Sequence, residues 1–114
     1  MIKYKVVLLP FPFDDLSSVK VRPVVCLTEK IGPYEHTIVA FITSKIPTDF
    51  LASDIVLDSQ HPEFASLGLK VTSALRLHRL MTIHTSLIQR ELGMVPAAFQ
   101  TEIREKLKQL FLEE

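Results

Sequence analysis

Hydrophobic positions along this chain come in short runs separated by prolines, glycines and polar clusters, until a helical spacing takes over near the C-terminus. Residues 4–9 are rich in valine and leucine and predict a first strand. It ends at Pro10-Phe11-Pro12, where two missing amides stop a central ladder. Residues 13–21 carry Asp14, Asp15, Ser17 and Ser18, whose short polar side chains favour turns, and predict a loop that Pro23 ends. Residues 24–27 form a nearly unbroken apolar run, the mark of a strand buried on both faces. His36–Thr43 is dense in β-branched and aromatic residues and is the clearest strand. Asp54–Leu57 and residues 73–77 predict further strands, the latter with Ser73, Leu75 and Leu77 on one face and Ala74, Arg76 and His78 on the other. Residues 80–84 offer a sixth. The pattern assigns no state to residues 87–92, and Gly93 is read as the turn after them. Finally Phe99, Ile103, Leu107, Leu110 and Phe111 fall at helical spacing, with Pro96 at the expected first position and Glu102 and Lys106 spaced to pair. Five or six short strands followed by one helix, without βαβ alternation, predict a mostly β (α+β) fold: a small antiparallel barrel or curled sheet capped by the helix.

Composition narrows this picture. A chain of 114 residues, 47% hydrophobic and 23% charged, is expected to form one domain over 1–114 and to bury a core. Thirteen basic residues against thirteen acidic ones leave no global field to favour nucleic acid or a membrane surface, so any charged site must be local. A single cysteine, Cys26, cannot form an intrachain disulfide, which fits a reducing compartment and a cytoplasmic location. Pro10 and Pro12 cut the opening apolar run well short of a membrane span, and no signal peptide is visible.

Local charge is uneven. Between Phe64 and Arg90 there is no acid, while Lys70, Arg76, Arg79 and Arg90 supply four cations, either to line an anion site or to serve as ordinary solvated residues. Arg22 lies between a polar loop and a proline-fixed strand start. A guanidinium held there suits phosphate, with pairing to Asp14 or Asp15 as the plainer role. Thr43 and Ser44 end the third strand beside Lys45; their hydroxyls can hold phosphate or sugar, or simply close the turn. His78 shares a predicted face with Arg76 and is a candidate proton carrier. The four histidines and Cys26 show no metal-ligand spacing, so no metal or other cofactor is expected, and Cys26 reads as core.

The succession LLPFPFDDLSSVKVRPVVCL, FITSKIP and GLKVTSALRLHRLMTI, with a closing turn and helix, resembles the PemK/MazF family of toxins from type II toxin-antitoxin systems over nearly the whole chain. The resemblance implies an SH3-like barrel, usually a homodimer, acting as a metal-independent endoribonuclease on single-stranded RNA and neutralised by a cognate antitoxin. It places Arg22 and Thr43 in the catalytic site, and Arg76 at a second arginine that some members carry. The carboxylate position near that arginine is His78 here. Further departures are Tyr4-Lys5 where Gly-Asp or Gly-Glu is usual, the absence of glycines before Arg22, and Met81 in place of an arginine. The expected mechanism is attack of a ribose 2′-hydroxyl on the adjacent phosphate, with Arg22 on the phosphate and leaving group, Thr43 as hydrogen-bond donor, Arg76 for charge stabilisation and His78 as base. Asp15, Ser17, Lys20, Ser44, Lys45 and Arg79 are expected to bind substrate. The alternative is a non-catalytic member that binds only a protein partner or an antitoxin/operator complex.

Overall fold

A computed structural model describes residues 1–11 and 20–113. Six strands, β1 (Lys5–Phe11), β2 (Lys20–Cys26), β3 (His36–Thr43), β4 (Asp54–Leu57), β5 (Ser73–His84) and β6 (Arg90–Met94), precede one helix, α1 (Ala97–Leu112). The strands form one curled antiparallel sheet in the order β4-β5-β3-β2-β1-β6, so the expected class of a small, mostly β fold with a closing helix holds.

Period-two alternation builds apolar clusters on both faces of this sheet. Val6, Val25, Ala40, Ile42, Leu75 and Leu77 lie in the cluster that takes up Phe99 and Ile103 of α1. Their neighbours Val7, Leu9, Val24, Cys26, Val39 and Ile83 form the other. The double-sided burial expected for residues 24–27 is therefore found at Val24, Val25 and Cys26. Burial pushes the Cys26 thiol up to about 11, against a smaller opposing hydrogen bond with Thr37, which fits packing rather than nucleophilic chemistry. Helix α1 docks through its first half. Phe99 and Ile103 are buried, each contributing on the order of 1.5–3 kcal/mol, whereas Leu110 and Phe111 are exposed. Pro96 stands just ahead of the helix as its cap. Lys106 does not pair with Glu102; its Nζ donates to the carbonyl oxygens of Ala52 (2.9 Å) and Asp54 (3.1 Å).

Several local expectations are corrected. β1 does not stop before Pro10 but runs through it, because β6 pairs with β1 only as far as Leu8 and Pro10 borders β2 alone. β2 starts at Lys20, so Arg22 and Pro23 belong to a strand rather than to the preceding loop. Residues 73–77 and 80–84 are parts of one strand, β5, interrupted by a bulge. Gly93 lies inside β6 rather than in a turn. A Cβ there would strike the carbonyl oxygen of Ser66, and one on Gly68 would strike that of Leu92, so both glycines are required where the turn Phe64–Leu67 crosses β6.

Candidate functional site

The site arises where the β2 and β3 ladder stops. These strands pair only at Val24 with Phe41, Val25 with Ala40 and Cys26 with Val39. The amide of Leu27 donates to the carbonyl of Ile38 at 2.8 Å, on the β3 side. Alternation by two sends the positions of Val25 and Pro23 to that same side, and Pro23 has no amide hydrogen to give. The ladder therefore forks at the first missing donor. Carried two residues further, the same register would set Arg22 opposite Thr43.

An open cavity of about 480 Å³ occupies the fork, lined by Arg22, Phe41, Ile42, Thr43, Lys45, Ile46, Pro47, Thr48, Asp49, Arg76 and Arg79. β3 pairs Phe41 with Arg76, and Phe41 and Thr43 share a face by alternation, so three strands aim polar groups at one place. Between Ala40 opposite Leu80 and Phe41 opposite Arg76, β5 carries three extra residues, Leu77, His78 and Arg79. The bulge sends Leu77 into the core, its amide donating to the carbonyl of Ser53 (3.0 Å). It returns Arg79 over the Phe41 ring, 5.6 Å from the centroid, within range of a cation–π contact.

Arg76 is held from β4. Its Nε donates to Asp54 Oδ1 at 2.9 Å and its Nη2 to Oδ2 at 3.3 Å. Asp54 is fully buried and also accepts from the Leu51 amide at 2.9 Å. Burial alone would raise its carboxyl, but the Arg76 and Leu51 hydrogen bonds, the Arg76 charge and the nearby His78 hold it below the ordinary aspartate range. The Thr43 hydroxyl accepts from the Lys45 amide (3.1 Å) and donates to the Lys45 carbonyl over a long 3.4 Å. It closes the turn while its proton stays loosely held.

Of the residues singled out from the sequence, Arg22, Thr43, Lys45, Arg76 and Arg79 line this one cavity. Asp15 and Ser17 lie outside the described residues. Lys20 begins β2 and Ser44 is exposed, but neither lines the cavity. His78 shares the face of Arg76 as expected, its Nδ1 lying 2.7 Å from Ser53 Oγ and 4.0 Å from Asp54 Oδ1, the oxygen that Arg76 Nε also engages, but it does not line the cavity. The sequence pattern places Asp54 at a strand start and singles out neither Asp49 nor Asp54 as a site residue. Asp49 sits two residues after Pro47 in the strand-end motif, a signal available in retrospect, whereas nothing local to Asp54 points to a strand partner 22 residues away. Among the described residues, no three His, Cys, Asp or Glu side chains come together as metal ligands, and no helix is long and apolar enough to cross a membrane.

Comparison with known proteins bears on the fold and the family. The family model described as PemK-like, MazF-like toxin of type II toxin-antitoxin system matches residues 3–111. Among solved structures, the Mycobacterium tuberculosis toxin MazF-mt6 superposes with a TM-score of 0.71 at 22% identity, over 94% of this chain and 95% of that one. A mycobacterial endoribonuclease in complex with its cognate antitoxin gives 0.71 at 14% identity, over 98% and 96%. An Mtb toxin gives 0.63 at 25% identity, over 79% and 92%. No curated protein matches the chain.

Proposed function

The chain belongs to the family of PemK-like, MazF-like toxins of type II toxin-antitoxin systems, and from that premise we propose that it is a metal-independent endoribonuclease that cuts single-stranded RNA at the β2 and β3 fork. The observation that carries the reading is the convergence of Arg22, Lys45, Arg76 and Arg79 with Thr43 around one open cavity, against one lining carboxylate among the described residues, Asp49. Four cations concentrated in a chain of zero net charge make a local phosphate site, and single-stranded RNA brings a backbone phosphate with its neighbouring 2′-hydroxyl.

In the proposed reaction the 2′-oxygen attacks the adjacent phosphorus, the bond to the 5′-oxygen breaks, and the products are a cyclic phosphate and a 5′-hydroxyl. Arg22 binds the phosphate and stabilises the departing 5′-oxygen, which takes its proton from water entering the open cavity. Thr43 exchanges its long bond to the Lys45 carbonyl for one to a phosphate oxygen. Arg76 and Arg79 offset the charge that grows in the transition state, and Lys45 tracks the flanking backbone. Asp49 takes the 2′-proton, because it is the carboxylate lining the cavity among the described residues. His78 is the second candidate for that role, favoured by its place on the same strand as Arg76. Single substitutions separate them: with Asp49 as base, Asp49→Asn loses cleavage while His78→Ala keeps it, and with His78 as base the outcomes reverse.

The toxin acts in the cytoplasm, where its RNA substrate lies, as a homodimer restrained by an antitoxin; one structural relative was solved with its cognate antitoxin. The test is end-mapped cleavage of a long single-stranded RNA in excess chelator, with Arg22→Ala purified identically. Sequence-biased cuts with 5′-hydroxyl ends that vanish in the variant support the reading. Equal cuts in both proteins remove Arg22 from the mechanism, and no cuts by either favour a member that only binds a protein partner.

A further inference from the structure

We propose that Asp54 is a positioning residue of this site, gripping one edge of the Arg76 guanidinium so that its remaining amino group faces the substrate phosphate. The proposal rests on the ribonuclease reading above.

Asp54 does not line the cavity, and its side chain is wholly buried while that of Arg76 is 20% exposed, so the carboxylate reaches substrate only through the arginine. Adjacent strands set the two residues directly opposite each other. The grip uses Nε and Nη2 and leaves Nη1 as the nitrogen that Asp54 does not engage. The carboxylate itself is fixed. Oδ2 takes the Leu51 amide as well, and Lys106 reaches from α1 to the carbonyl oxygens of Ala52 and Asp54, anchoring the backbone on either side of Ser53.

A buried ion pair of this kind gives little net stability compared with apolar residues of the same volume, so geometry is what it supplies. An arginine on four rotatable bonds would otherwise sample many orientations, and a phosphate site is sensitive to misplacement on the scale of an ångström. The pair also tempers the charge of Arg76. Held this way, Arg76 acts as a directed hydrogen-bond donor, whereas Arg79 is laid across the Phe41 ring.

Asp54→Asn tests this directly, since it keeps the shape and one acceptor but removes the paired grip. With a fixed RNA oligonucleotide, kcat should fall at least about tenfold while KM stays within about threefold. The 15N-coupled Nε–H resonance of Arg76, protected from solvent exchange in the unmodified protein, should lose that protection. In an Arg76→Ala background Asp54→Asn should cost nothing further, because the residue through which it acts is gone. Equal loss in both backgrounds, or unchanged kinetics, overturns the proposal. If Asp54→Asn does not fold, Asp54→Glu, which keeps the charge but shifts the grip, is read in the same cycle. Absence of cleavage by the unmodified protein would instead sink the ribonuclease reading, and an unprotected Arg76 Nε–H there would sink the grip itself.

Discussion

The two ends of the β2 and β3 pair share strands, register and neighbours, yet they do opposite things. At the closed end Val24, Val25, Cys26, Val39 and Ala40 are all fully buried and serve the two apolar clusters. At the open end Arg22 and Thr43, which the register would place opposite each other, border a cavity with three further cations. What separates the ends is one missing backbone donor at Pro23. A sheet that has satisfied its hydrogen bonds has nothing left to offer a ligand, so function sits where the ladder stops and side chains take over.

That contrast is broken most sharply by removing charge at the open end. Arg22→Ala should lower kcat by about 10²- to 10³-fold, the range for a deleted transition-state donor, with thermal stability little changed. A parallel loss of stability would mean that Arg22 is structural. The converse holds at the closed end. Ile83→Ala, in the cluster with Val24 and Val39, should cost about 2–5 kcal/mol in denaturant unfolding while the folded fraction keeps its kcat. A changed kcat there would show that the two ends are not separable.

Pro23→Val probes the boundary itself. Valine restores the donor on the β3 side, so the ladder should extend into the fork, with cleavage falling at least about tenfold and stability equal or higher. Full activity in this variant would detach the fork from Pro23. The smallest effect is electrostatic. Because Asp54 is held below the ordinary aspartate value, its stabilising contribution is complete above about pH 3.9 and is lost as pH falls through its lower native value. Unfolding followed from about pH 5 to 2 should show a loss that Asp54→Asn lacks, and parallel curves would deny the linkage.

Much of this was legible in the sequence, and the remainder follows a physical pattern. His36–Thr43 and Asp54–Leu57 match the observed strands because β-branched runs between turn residues carry their own signal. Arg22, Thr43 and Arg76 were legible because each belongs to a short motif beside a proline or a strand end. The β5 bulge was not: period-two reading assumes an unbroken strand, and the three residues inserted against β3 join two expected strands into one and return Arg79 to the Phe41 ring. Gly93 looked like a turn because its requirement is a backbone crossing with the segment around Ser66, distant in sequence. The pairing of Asp54 with Arg76 is likewise a cross-strand fact that only the fold creates.

The most direct test of the central claim, that substrate binds at the open end of the ladder, is amide chemical-shift mapping with a single-stranded RNA methylated on every 2′-oxygen. Such an RNA binds but cannot supply the attacking hydroxyl. The account predicts shifts concentrated at Arg22, Thr43, Lys45, Arg76 and Arg79, with His36, Cys26 and His84 unmoved. Shifts centred on those last residues, or along α1, would contradict it.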